Sequence, residues 1–253
     1  MSEPDAATGP ADDRLRDLAS TFAAELHDVL CRVLPSAVPP LVVWRDPRPG
    51  RSVRIAHLPA AGVPLTVDGT VVLRLRMSFH CAWDRTGRFL AVGSSRVDAT
   101  AEGTEEPLFR YDFDARTDAR IPAAHLNVHG HRDELVFAMM AAGARHRGRA
   151  RASGLRRGRV PRVATLHFPL GGHRFRPAFE DVLEMLVREF GLDTREGWRE
   201  ALAEGRRRWR DVQLRAAVRD EPATAAAVLG DLGWSVSGPE PGGVVPDRPR
   251  QAQ

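Results

Sequence analysis

One stretch of strict alternation restricts the fold of this chain more than any other feature. It is VVLRLRMSFHCAWD, residues 71–84. Its apolar positions are Leu73, Leu75, Met77, Phe79, Cys81 and Trp83, and the positions between them are Arg74, Arg76, Ser78, His80 and Ala82. A period of two over this length predicts a long β-strand with one buried face, because helical apolar residues recur every three or four positions.

Shorter segments of the same kind predict further strands, and two other regions predict helices. The strand candidates are PLVVWRD, RSVRIAHL, VPLTV, FLAVGSSRV, LFRYDFD, AAHLNVH and RVATLHF. Spacings of three and four predict one helix from Asp13 to Leu34, one after Pro177, one from Gly197 to Val218 and one from Pro222 to Leu232. The sequence therefore predicts an α+β fold, with an antiparallel meander sheet, an N-terminal helix and a C-terminal group of three helices.

The second of these C-terminal helices has a predicted inner and outer face. Trp209 and Val212 continue its apolar stripe, and the arginines of RRRWR, residues 206–210, are expected on the solvated side.

A chain of 253 residues is long enough to bury a sizeable core. We expect a single domain over residues 13–234, with disordered tails at 1–12 and 235–253. Residues 141–162 contain eight arginines, four glycines and no acid, which predicts a flexible insertion. This insertion is either a phosphate-binding arm or a solvated loop.

The amino-acid composition excludes few classes of function. All 37 basic residues are arginine, and 33 acids leave a net charge of +4, so the arginine content is poor evidence for a nucleic-acid partner. The two cysteines do not make a disulfide framework, and the first residues do not resemble a signal peptide. We therefore expect a cytoplasmic protein with no membrane contact.

The stretch HLNVHGHRDEL, residues 125–135, supplies the candidate site. On a strand, His125, Asn127 and His129 lie on one side, and Leu126 and Val128 lie on the core side. Arg110, Asp112 and Asp114 of LFRYDFD, and His167 of RVATLHF, are predicted on comparable polar faces.

Such a face is suited to acid–base chemistry on a phosphodiester, because one imidazole takes a proton, another donates one, and arginine stabilises the phosphoryl charge. The predicted acid–base pair is His129 and His167, and Asp112 is predicted to orient an imidazole. The predicted ligand contacts are Arg110, His125, Asn127 and Arg174. In the alternative interpretation, these side chains are hydrogen-bonded structural residues.

A metal site is weakly indicated. His129 and His131 form an HxH pair that His167, His173, Asp133 or Glu134 could complete. His125 and His129 lie about 13 Å apart on a strand and do not share one ion. Because no cluster has four well-spaced ligands, we expect neither a metal nor another cofactor.

The succession FRYDFD, HLNVHGHRDEL and LHFPLGGHRFRPAFEDVLEMLVREFG, residues 109–191, resembles a group of bacterial proteins in which RYD, HLxVH and LHFP strands precede a helix. It is also similar to TumE-type toxins of toxin–antitoxin pairs, which carry an RYD strand, a histidine cluster and a C-terminal helix. This chain is about twice as long as those toxins and has the arginine-rich insertion where they have a short turn. The second resemblance implies a nuclease-like toxin.

Two functions follow from the sequence. The first is a nucleic-acid- or nucleotide-binding protein that uses the histidine-lined face, in the manner of a metal-independent ribonuclease or phosphodiesterase. The second is a non-enzymatic regulatory protein that docks a protein partner through the helices from Gly197 to Leu232.

The arginine-rich insertion generates the first testable prediction. Because residues 141–162 lack apolar anchors and their like charges repel, limited trypsin digestion should cut there first and leave two fragments that stay associated. Mass spectrometry of the early fragments checks this. Protection of every arginine in the segment, in the absence of a ligand, would contradict it.

Overall fold

A computed structural model describes residues 10–45, 52–116, 121–130, 153–160, 162–165, 168–170 and 176–238. Its helices are α1 (Pro10–Val33), α2 (Phe179–Phe190), α3 (Trp198–Asp220) and α4 (Pro222–Asp231). Its strands are β1 (Leu41–Arg45), β2 (Ser52–His57), β3 (Val63–Val67), β4 (Thr70–Trp83), β5 (Leu90–Ala101), β6 (Pro107–Asp114), β7 (Ala124–Val128) and β8 (Phe168–Pro169). The predicted α+β fold is confirmed, and α1 begins at Pro10, three residues before the predicted start.

The long alternating stretch forms the central strand. The sheet runs in the order β1-β2-β4-β5-β6-β7-β8, with β3 also paired to β4, and all pairs are antiparallel. β2 pairs with the second half of β4 and β3 with its first half, whereas β5 follows it from Leu73 to Trp83. The predicted meander is therefore present from β4 to β8.

The core lies between one face of this sheet and the helices. Leu75 and Met77 of β4 are buried in one cluster with Leu30 of α1, Leu183 of α2 and Leu202 of α3. The apolar positions of β4 therefore face the helices, as their alternation predicts. The intervening polar positions lie on the opposite face.

The loop between α2 and α3 ties three parts of the chain together. The carboxylate of Asp193 accepts hydrogen bonds from the backbone N–H groups of Asp68 and Gly69, in the β3–β4 turn, at 2.9 Å each. Nε of Arg195 donates to the carbonyl of Leu34, just after α1, at 2.9 Å. These contacts hold the start of α3 against both α1 and the sheet.

Two predictions about α3 are wrong. Arg206 is not on the solvated side, since its guanidinium binds the carboxylates of Asp181 and Glu184 of α2. Val212 is exposed rather than buried, and Trp209 is half-buried. The apolar stripe of α3 is covered by α1 and α2 only over its first half, where Trp198, Ala201, Leu202 and Gly205 are buried.

The strand predicted for RVATLHF is also wrong over most of its length. Residues Val163–Thr165 form a 3-10 turn, and of the described residues from 162 to 170 only Phe168 and Pro169 pair with β7. Phe168 is exposed. The alternation of residues in RVATLHF therefore does not correspond to a strand with Phe168 on a buried face.

No helix in the described ranges is long and apolar enough to span a membrane.

Two glutamates of α2 lie in opposite electrostatic environments. Burial raises the pKa of Glu180, whose carboxylate packs against Gly205 of α3. Hydrogen bonds from Arg188 and Arg206 lower the pKa of Glu184. An acid whose pKa is raised in the folded state lowers the free energy of unfolding once the pH rises through that pKa. An acid whose pKa is lowered in the folded state raises the free energy of unfolding at neutral pH, and this contribution is lost in acid.

We therefore expect Glu180→Gln and Glu184→Gln to shift stability in opposite directions at pH 7. Glu180→Gln should raise the melting temperature. The difference from the wild-type protein should disappear as pH falls below about 4.3, the ordinary pKa of glutamate. Glu184→Gln should lower the melting temperature, with a deficit that shrinks in acid. Thermal unfolding from pH 3 to pH 8 measures both, and shifts of the same sign at neutral pH would contradict the assignment.

Candidate functional site

The sheet face opposite the helices carries a continuous polar surface, which we call the polar face. Its side chains are Arg74, Arg76, Ser78 and His80 of β4; Ser94, Arg96, Asp98 and Thr100 of β5; Arg110, Asp112 and Asp114 of β6; and His125 and Asn127 of β7. The register places Arg76 beside Asp98, and Asp98 beside Arg110. The predicted polar sides of β4, β6 and β7 therefore belong to one face.

All four arginines of the polar face are paired with acids. Nε of Arg76 donates to Asp98 at 2.8 Å, and its Nη2 donates to Thr100 at 2.7 Å. Arg74 holds Glu102 through two hydrogen bonds of 2.6 and 3.0 Å. These pairs join neighbouring strands and leave little uncompensated positive charge for a phosphate.

Asp112 is the centre of this network on β6. Its carboxylate accepts hydrogen bonds from Nε of Arg96 at 3.1 Å, Nε of Arg110 at 2.5 Å and Nδ2 of Asn127 at 3.1 Å. Nε2 of His125 lies 3.8 Å from Oδ2, beyond hydrogen-bond distance, and its Nδ1 lies 2.8 Å from the carbonyl oxygen of Pro122. The main partners of Asp112 are thus arginines and an amide rather than an imidazole.

The polar side of β7 is more buried than its apolar side. Asn127 is 0% exposed and His125 is 6% exposed, whereas Leu126 and Val128 are half-buried. The prediction that only the apolar pair faces protein interior is therefore wrong. At β7 the polar face is therefore buried as well, whereas Arg110, Asp112 and Asp114 of β6 are half-buried.

His129 lies just beyond the end of β7, in a pocket of about 300 Å³, the His129 pocket. The pocket is lined by Ala101, Thr104, Glu106, Pro107, Leu108, His129, Gly130, Arg162 and Ala164. Nδ1 of His129 lies 3.1 Å from Oε1 of Glu106, and Nη1 of Arg162 lies 3.8 Å from the same oxygen. The structure thus brings together an imidazole, a carboxylate and a guanidinium.

Two polar atoms on this side of β7 are buried without a hydrogen-bond partner among the residues that the structure describes. They are Nε2 of His129 and Oδ1 of Asn127. Buried polar groups are nearly always hydrogen-bonded, so each unpaired one requires an explanation such as a bound water or ligand. His129 lines the pocket and Asn127 does not, so of these two atoms only Nε2 of His129 belongs to a residue of the pocket.

The predicted site is only partly assembled within the described residues. His129 lies with Glu106, whereas Asp112, Arg110, His125 and Asn127 form the neighbouring network. His167 and Arg174 lie outside the described residues, as do His131, Asp133, Glu134 and His173. Within the described ranges, no group of three or more His, Cys, Asp or Glu side chains is arranged to hold a metal ion.

Glu106 and Arg162 were not among the predicted site residues. Glu106 belongs to the acidic run EGTEEP between β5 and β6, which has no feature that separates it from a surface turn. Arg162 ends the arginine-rich segment, where residue type alone does not distinguish one arginine from another. Only the meeting of the β5–β6 turn with the end of β7 identifies them.

The two thiols are not activated nucleophiles. Burial raises the pKa of Cys81 to about 12, so it is protonated at neutral pH. Burial also raises the pKa of Cys31, although its Sγ lies 3.4 Å from Nε2 of His27. A catalytic cysteine requires a lowered pKa.

No protein-family model, curated protein or solved structure matches this chain. The resemblances to the RYD, HLxVH and LHFP proteins and to TumE-type toxins therefore stay predictions.

The network around Asp112 generates a stability prediction. Asp112→Asn should cost about 1.5–3 kcal/mol, because hydrogen bonds from charged donors are lost and an amide N–H₂ group faces arginine donors. The side chain of Asp112 is 14% exposed. Glu102→Gln is the matched control, since Glu102 also binds an arginine of the polar face but its side chain is 41% exposed, and exposed ion pairs contribute about 0–1 kcal/mol. Urea unfolding measures both, and equal losses would show that Asp112 is not the centre of the network.

Proposed function

We propose that the chain binds a nucleotide phosphate, in a free nucleotide or in a nucleic-acid strand, at the His129 pocket. The proposal is carried by Nε2 of His129, which is buried without a hydrogen-bond partner among the described residues and belongs to a side chain that lines the pocket. A polar ligand, alone or with a bridging water, would satisfy this atom. A pocket of about 300 Å³ is at the lower end of the range for small-molecule sites.

The charge beside the pocket supports an anionic ligand. Arg162 lines the pocket, and its Nη1 lies 3.8 Å from Oε1 of Glu106. Arginine forks match phosphate oxygens in shape and charge. Arg110, to which the sequence assigned a phosphate contact, is paired more closely with an acid, since its Nε lies 2.5 Å from Asp112.

The contact between His129 and Glu106 suits proton transfer. When Nδ1–H donates to the Glu106 carboxylate, Nε2 carries the lone pair and accepts a proton, and the carboxylate stabilises the imidazolium that forms. One such histidine supplies half of the acid–base chemistry of a metal-independent phosphodiesterase. Cleavage of RNA at this site requires a second proton-transfer group beside His129, the role that the sequence assigned to His167.

Binding of a fluorescently labelled single-stranded oligoribonucleotide tests the proposal, with adenosine monophosphate and inorganic phosphate as competitors. Arg162→Gln should weaken binding and reduce the slope of log K against log salt by about 1, as expected for one lost phosphate contact. His129→Asn should abolish binding and any cleavage. Arg74→Gln is the control and should leave binding unchanged, because Glu102 holds its guanidinium.

One combination of results would contradict the proposed phosphate site. If the wild-type protein binds none of these ligands and His129→Asn lowers the melting temperature, the contact with Glu106 is structural and the proposal is wrong. Leu126→Asn, on the half-buried helix-facing side of β7, provides the reference for a purely structural loss.

A further inference from the structure

The C-terminal helices expose more apolar surface than any other described part of the chain. Eight large apolar side chains are exposed between residues 212 and 236, and we call six of them the C-terminal apolar surface: Leu214, Val218, Val228, Leu229, Leu232 and Trp234. Leu232 is 71% exposed and Trp234 is 69% exposed. A concentration of exposed large apolar side chains in one part of the chain is typical of interaction sites, whereas single exposed apolar residues are normal on any protein.

Helix α4 has no packing role that accounts for its apolar character. It buries none of its residues, and its main contacts are with α3. Over residues 222–236 the only charged side chain is Asp231. A helix of about 10 residues is marginal in water by itself, so contacts on its apolar side would contribute to its stability.

Helix α3, which carries Leu214 and Val218, contacts the rest of the protein at both of its ends. Its first half is buried against α1 and α2. At its last turn, Nη2 of Arg85 lies 3.0 Å from Asp220, and the guanidinium of Arg219 lies over the ring of Phe89 at 4.1 Å. Leu214 and Val218 lie between these anchors, and they are exposed although the helix around them is fixed.

The charge of α3 indicates what covers the surface. Residues 206–220 contain six arginines and two aspartates, and Arg207, Arg210 and Arg215 are exposed. On a helix, residues 207, 210, 214 and 218 follow the three and four spacing of one face, so arginines border the apolar side chains. An acidic partner complements this face, whereas a second copy would bring arginine-rich helices together.

We propose that α3 and α4 dock an amphipathic helix of a partner protein, with an apolar stripe bordered by acidic residues. The apolar stripe packs on Leu214, Val218, Leu232 and Trp234, and the acids pair with the exposed arginines of α3. The alanines at 223 and 225–227 allow close approach of a helix backbone. This surface is independent of the His129 pocket, so the two proposals stand or fall separately.

The test uses the full-length protein and two fluorescein-labelled synthetic helices of about three heptads. Both have leucine at positions a and d, and the bordering positions carry glutamate in one and lysine in the other. Fluorescence anisotropy should show that the acidic helix binds at least about tenfold more tightly than the basic one. Light scattering should show a monomer before the peptide is added.

Two double variants map the surface, and one variant elsewhere controls for it. Leu232→Ser with Trp234→Ser, and Arg207→Glu with Arg210→Glu, should each weaken binding of the acidic helix by at least about tenfold. Because all four side chains are exposed, the melting temperature should not change. Leu58→Ser replaces an equally exposed apolar residue in the β2–β3 turn and should leave binding unchanged.

Several outcomes would overturn the proposal. Equal binding of the acidic and basic helices, or binding that both double variants leave intact, would show only general adhesion to apolar surface. No binding of either helix would equally reject it. A dimer that Leu232→Ser with Trp234→Ser dissociates would identify a second copy as the occupant, and binding to anionic phospholipid vesicles without peptide binding would identify a membrane surface.

Discussion

The burial of one face of β4 beneath α1 and α2 is the interaction on which the rest of the structure depends. Each fully buried Leu or Met on this face contributes about 1.5–3 kcal/mol relative to exposure, and a shift of β4 by one residue would turn all of them to the opposite face. Burial therefore fixes the register of the central strand, and its neighbours β2, β3 and β5 follow from it.

The same register creates the polar face. Once Leu75 and Met77 face the helices, Arg76 must face away, and β5 brings Asp98 beside it. Arginine is effective here because its fork reaches two acceptors on the neighbouring strand, as Arg76 does with Asp98 and Thr100. The network stabilises pairing between strands, and it places an acid beside each arginine of the polar face.

The His129 pocket lies where regular pairing stops. The pairing of β5 with β6 shifts register between Ala99 and Thr100, and the turn that follows supplies Thr104 and Glu106 to the pocket. Irregularities of this kind redirect side chains and are common beside functional sites. Here the irregularity puts a carboxylate next to an imidazole that has already left its strand, so the arrangement combines positions about 23 residues apart.

The two proposed surfaces lie on separate parts of the molecule and differ in chemistry. The His129 pocket is small, and it combines an imidazole, a carboxylate and a guanidinium with apolar lining residues. The C-terminal apolar surface is open and is bordered by the arginines of α3. A protein with both could bind a phosphate ligand and a protein partner at once, because neither surface uses residues of the other.

Most of the fold could be predicted because its elements carry local periodic signals. The period of two predicts β4, β5, β6 and β7, and the three and four spacing predicts all four helices, since side-chain direction follows the backbone geometry of each element. Where a segment has alternation but no buried face, as in RVATLHF, the same signal misleads. The predictions that Arg206 is solvated and Val212 is buried were also wrong, because the burial of each residue depends on how far α1 and α2 extend along α3.

The sequence by itself determined the α+β class, the strand and helix order and the set of polar residues that share one side of β4, β6 and β7. Only the tertiary structure decided which of those residues are neutralised and which meet in a pocket. The reason is physical: periodicity is a local property of the chain, whereas the pairing of Arg110 with Asp112, the burial of Asn127 and the contact of His129 with Glu106 depend on strand register and on turns that bring distant residues together.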